Sequence, residues 1–186
     1  MLQVTLEEEL SAAGEVAGGQ ARDGEELVAI IPTEPGSGAR VYLCAYERGG
    51  ERSWLALDSG LSPIADRILV RDAVSIAAMC ELAEESAGGG DLGELRARLV
   101  ELRLTENPEG IDEAEVAAAE LQGTIQAPPR VASVTYLDAL GQAAGRLEQS
   151  LGQVGGSPFA EAMKSGIVAA DELASEVERT YRGPLG

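Results

Sequence analysis

Apolar residues recur along this chain with two different periods. From Leu6 they fall three or four apart, as Leu6, Leu10, Ala13 and Ala17, which lines one face of a helix. Thr5 and Glu8 have the spacing of a capping box, so this helix is expected to start after Thr5 and to end at Gly18-Gly19. The period then shortens. Leu27 to Ile31 is a continuous apolar run closed by Pro32 and reads as a strand. Arg40 to Glu47 and Arg52 to Asp58 flank Arg48-Gly49-Gly50-Glu51, where two glycines supply the positive φ angles of a two-residue hairpin turn. That register sets Arg48 opposite Glu51 and Glu47 opposite Arg52, two favourable charge pairs. One hairpin face carries Val41, Leu43, Ala45, Trp54 and Ala56; the other carries Tyr42, Cys44, Tyr46, Leu55 and Leu57. Neither face is polar, so both need cover. The expectation is a three-stranded antiparallel meander from Leu27 to Asp58.

Helical spacing returns after Asp58. Ser62 as N-cap and Pro63 at the first helical position predict a helix running to about Ser86. Ile64, Ile68, Leu69, Val74, Ile76, Ala77, Cys80 and Leu82 spread over a wide arc of it, as a centrally packed helix requires. Gly88-Gly89-Gly90 stops it, and Asp91 with Glu94 forms a second capping box ahead of the stripe Leu92, Leu95, Leu99 and Leu102. Asp112 with Glu115 forms a third, with Ile111 and Val116 placed as a hydrophobic staple. Leu137, Leu140, Ala144, Leu147, Leu151 and Val154 alternate steps of three and four, a short heptad-like seam. Ser157 and Pro158 open a last helix whose buried face is expected to hold Phe159, Met163, Ile167, Ala170, Leu173, Val177 and Tyr181. The fold class is therefore α+β. A three-stranded antiparallel meander packs on a central helix, and a bundle of mostly antiparallel helices follows. The whole chain, 1–186, is expected to form a single α+β domain, its sheet part about 24–60 and its helical part about 62–183.

Composition narrows the chemistry. Asp plus Glu number 32 against 14 Lys plus Arg, a formal charge of −18. Phosphate backbones and anionic membrane surfaces repel such a chain, so neither nucleic acid nor membrane is an expected partner. The amino terminus lacks a basic segment followed by a long apolar stretch, and no uninterrupted apolar run is long enough to cross a bilayer. Cys44 and Cys80 lie in apolar runs and read as buried thiols, which fits a reducing, cytoplasmic compartment.

The chain has no histidine, which removes the commonest general base and every triad built on it. No cofactor is implied. Glu81 and Glu84 lie one turn apart on the central helix. This pair resembles the acids with which helical nucleotide pyrophosphohydrolases of the MazG type hold magnesium. That resemblance implies Glu81 and Glu84 as metal ligands of a magnesium-dependent hydrolase, yet the second acidic pair such chemistry needs on the next helix is missing. Arg67 and Arg71, also one turn apart, could clamp an anionic ligand in a small regulatory domain. Tyr42, Tyr46 and Trp54 gather on the hairpin and are the anchors expected of an interface if one sheet face is open. The preferred reading is a non-catalytic binding or assembly protein acting on a protein partner or on itself, as a homodimer through the sheet face or the Leu137–Val154 seam.

Overall fold

A computed structural model describes residues 4–36, 38–87, 92–126, 131–152 and 158–186. The alternating and helical periods resolve into an α+β structure, mostly helical. In chain order the elements are α1 (Leu6–Gly19), β1 (Glu26–Glu34), β2 (Val41–Arg48), β3 (Glu51–Leu57), α2 (Arg67–Ser86), α3 (Leu92–Thr105), α4 (Ile111–Gln126), β4 (Ala132–Ser133), α5 (Val134–Ser150) and α6 (Pro158–Arg179). The chain divides into two compact units. A sheet unit takes residues 1–78, 129–134 and 168–186, and a helical unit takes 79–128 and 135–167.

In the sheet unit the strand order is β3-β2-β1-β4. The hairpin forms in the register the charges dictate: Arg48 faces Glu51 and Glu47 faces Arg52, with Gly49 and Gly50 at φ 59° and 85°. Strand β1 runs past Pro32 to Glu34, further than the apolar run suggests. Proline lacks an N–H and is tolerated where one side of a strand needs no donor, and β4 joins β1 only beyond it, at Thr33 and Glu34. That short parallel strand turns the expected three-stranded meander into a four-stranded mixed sheet. Two residues have no readable period, so sequence patterning passes over them.

Both faces of the hairpin are covered within this unit. Tyr42, Cys44, Tyr46, Leu55 and Leu57 pack with Ala13 and Ala17 of α1. Val41, Leu43, Ala45, Trp54 and Ala56 pack with Val70, Ala73 and Val74 of α2 and with Ala174 and Val177 of α6. The capping box of Thr5 and Glu8 holds the first turn of α1. Helix α2 starts four residues later than Pro63 suggests. Asp66 caps it, its carboxylate accepting from the Ile68 and Leu69 amides at 2.9 and 3.3 Å. Pro63 instead bridges to Leu57, and the Ile64 amide donates to the Ala56 carbonyl at 2.8 Å, so residues 62–65 extend along the sheet edge. Ile68 is consequently an exposed first-turn residue rather than a core one.

In the helical unit Leu92 and Leu99 of α3, Ala114, Ala118 and Leu121 of α4, and Leu140, Ala144 and Leu147 of α5 form one core. Small side chains let these helices approach closely. Helix α4 begins at Ile111, not after Asp112, since the Ala114 amide already bonds the Gly110 carbonyl at 3.1 Å. Asp112 and Glu113 therefore sit in the first turn, where acids oppose the positive end of the helix dipole. Glu115 pairs with Arg103 at 3.1 Å instead of closing a capping box. Ile111 is buried, but its expected staple partner Val116 stays 59% exposed. On α6 the buried face holds Gly166, Ala170, Ala174 and Val177, leaving Ile167 exposed. A Cβ at Gly166 would overlap the Leu82 side chain, so contact here is built on the glycine. Asp91, Val154, Ser157 and the Gly88-Gly89-Gly90 stop lie outside the described residues.

Candidate functional site

Helices α4 and α5 leave a groove between them in the helical unit. On α4, Asp112, Val116 and Glu120 repeat every four residues, and Glu113 and Ala117 repeat beside them, so all five look along one helix side. On α5, Arg146, Gln149 and Ser150 face them. The cavity measures about 550 Å³ and is lined mainly by carbon. Val116 and Ala117 are its apolar members. Ala117 is buried in the helical core, while Val116 projects outward and serves neither core nor staple. Glu120 and Arg146 form an ion pair across the groove at 3.4 Å, both about half exposed. Surface pairs of this kind contribute at most about 1 kcal/mol and can open easily. The whole is an apolar strip with a rim whose acids outnumber its single arginine.

The residues marked in the sequence lie elsewhere. Tyr42, Tyr46 and Trp54 are all buried in the sheet unit under its own helices. Tyr42 donates to Glu9 and Tyr46 to the Ala17 carbonyl, each at 2.8 Å. These side chains close layers and offer no exposed anchor. The seam on α5 is likewise inward: Leu140, Ala144 and Leu147 are core residues, and only Leu151 among its described members is exposed. Arg71 is already occupied by Asp171 at 2.5 Å and Glu178 at 3.5 Å, while Arg67 is exposed one turn away. Glu84 accepts from the Tyr136 hydroxyl at 2.7 Å, which accounts for an acid at that half-buried position. Glu81 points to solvent. Among the described residues no group of three or more cysteine or carboxylate side chains is gathered as a metal site would need.

Comparison with known proteins finds no matching family, no similar curated protein and no similar solved structure. The chemistry of the chain therefore has to be read from its own residues.

Sequence reasoning missed one more arrangement. Glu25 and Arg182 pair at 2.8 Å with both side chains more than nine-tenths buried, and the guanidinium lies over the Tyr46 ring at 4.1 Å. The Arg182 amide donates to the Trp54 carbonyl at 2.8 Å, which fixes the chain after α6 along β3. Tyr181 donates to the Ile64 carbonyl at 2.5 Å and so pins the segment before α2 as well. This is a structural clasp. Residues so far apart in sequence, each of an ordinary surface type, carry no local signal that they meet. Around it, burial pushes the Tyr46 hydroxyl and the Cys44 thiol up to about 12. Both are held neutral, so neither is a nucleophile near neutral pH. Cys44 and Cys80 are buried and are not joined in a disulfide.

Proposed function

We propose that this chain is a non-catalytic binding or assembly protein and that its helical unit makes the contact, through the α4–α5 groove. The observation that carries this reading is Val116. A β-branched aliphatic residue stands more than half exposed on α4, over a carbon-lined cavity, with Ala117 beneath it. Scattered exposed aliphatics need no explanation, but one that forms the wall of a concave strip fits a surface meant to be covered. The sheet unit has used its aromatic anchors Tyr42, Tyr46 and Trp54 internally, which takes them away from an interface on a sheet face. Among the described residues no helix is long and apolar enough to cross a membrane. The two buried cysteines, not joined in a disulfide, agree with a reducing compartment, and we place the protein in the cytoplasm on that ground.

The test is titration of the full chain, followed by amide NMR, with amphipathic helical peptides that share one leucine face. At least one peptide should give saturable shifts confined to α4 and α5, and Val116→Asp should suppress them. Shifts spread over the sheet strands, or no saturable response from any peptide, would count against docking at this groove.

A further inference from the structure

We infer that the occupant of the α4–α5 groove is a basic amphipathic helix of another protein. The inference rests on the reading of that groove as a docking surface and adds the chemistry of what it takes. Helix-in-groove recognition uses apolar residues spaced three and four apart on the guest, laid into an apolar strip of the host. Val116 forms the exposed wall of such a strip, with the buried Ala117 at its floor and a lining that is mainly carbon. The charges beside it are of one sign in excess. Asp112, Glu113 and Glu120 stand on the α4 side, and Arg146 is the single cation opposite, already paired with Glu120 at 3.4 Å. A guest with lysine or arginine flanking its apolar face meets Asp112 and Glu113 directly and can take Glu120 from Arg146.

A second copy of this chain is a poor occupant. Each copy carries a formal −18 and would set the same acidic rim against itself. Like charges brought together across an interface oppose association. An acidic or neutral guest would gain only the apolar contact. A basic one gains attraction as well as faster encounter, since complementary charge raises association rates above the ordinary 10⁵–10⁶ M⁻¹s⁻¹.

The probes are three synthetic peptides of about 18 residues, long enough for five helical turns. They share a leucine face and differ only in a polar face of lysine, glutamine or glutamate. Binding to the full chain is read by fluorescence anisotropy at about 0.15 M salt, where charge is felt over roughly 8 Å. The lysine peptide should bind saturably and at least ten-fold more tightly than the glutamine one; the glutamate peptide should not bind. Val116→Asp should weaken the lysine peptide at least ten-fold although it adds a negative charge, and Val116→Gln should do so without changing charge. The double change Glu113→Gln and Glu120→Gln should weaken it several-fold and flatten its salt dependence.

Equal binding of the lysine peptide to Val116→Asp and to the unaltered chain would mean plain attraction to an acidic surface and would overturn the inference. If glutamine and lysine peptides bind alike and both need Val116, the groove docks chains without selecting charge, so the inference falls and the docking reading stands. If no peptide binds, both fall. A dimer in sedimentation that Val116→Asp dissolves would make a second copy the occupant and would also refute the inference.

Discussion

The sheet unit and the helical unit solve the same problem, burial without aromatic bulk, in opposite ways. Aromatics are only 3% of the chain, and the sheet unit spends Tyr42, Tyr46 and Trp54 on closing both faces of one hairpin. It then locks the chain after α6 with the Glu25–Arg182 pair. The helical unit packs mostly alanine and leucine; both units leave aliphatics exposed, Val28, Ile68 and Val168 in the sheet unit and Val100, Leu104, Val116 and Leu151 in the helical one, but in the helical unit Val116 lines a groove walled mainly by carbon. A unit fastened by a buried ionic clasp and a unit with a carbon-lined groove differ in what a substitution should do. Surface changes in the helical unit should be nearly silent for stability and loud for binding. Changes at the clasp should be the reverse.

The largest expected effect is at the clasp. Arg182→Met leaves the Glu25 carboxylate buried without its cation, keeping only neutral donors such as the Arg22 amide at 2.8 Å, and should cost about 3–5 kcal/mol. Urea unfolding followed by the fluorescence of Trp54, the sole tryptophan, reads this directly. Adding Glu25→Leu to Arg182→Met should recover most of the loss, because a buried pair replaced by apolar side chains is often neutral or better. If the single change costs less than about 1 kcal/mol, as surface pairs do, the clasp is not the fastening described here.

Next comes pH. The Cys44 thiol and Tyr46 hydroxyl ionise only near 12 when folded, against ordinary values of 9.0 and 10.0. The unfolded chain releases these protons first as pH rises. The stability they contribute is therefore complete below pH 9 and lost progressively from about 9 to 12, at about 1.4 kcal/mol for each pH unit and group. The urea midpoint of the sheet unit should fall over that window. Cys44→Ala, which removes one of the two titrating groups, should make the fall shallower; an unchanged slope would contradict burial of the thiol as its cause.

A smaller effect separates two start sites for α2. Asp66→Ala should cost about 1 kcal/mol as loss of an N-cap, and Ser62→Ala less than about 0.5 kcal/mol. Equal costs, measured by the same urea titration, would argue that Asp66 is not the functional cap.

What could be read in the sequence follows from range. The hairpin, its register and its two apolar faces are local, set by Gly49-Gly50 and the charges on either side. The Thr5–Glu8 cap is local too. The start of α2 differs from the local pattern because Ser62-Pro63 satisfies the rules for a helix opening while Ile64 is needed by the sheet, where its amide bonds Ala56. Tertiary pairing overrode local preference. Strand β4 was too short to show a period. The candidate site was illegible for a related reason. Val116 has the spacing of a staple partner for Ile111, and only the true start of α4 shows that it is not one. Arg146 reaches Glu120 across two helices that the sequence could propose but not align. Arg71 and Glu84 looked available as isolated residues, and became structural only when Asp171 and Tyr136 arrived beside them.

The contrast between the clasped unit and the grooved one is tested most directly by hydrogen exchange on the full chain with and without the lysine-faced amphipathic peptide. Protection should rise across 111–126 and 134–150 and stay unchanged across 26–57, and Val116→Asp should abolish the rise. Protection appearing on the sheet strands, or rising equally in Val116→Asp, would contradict the assignment of binding to the helical unit.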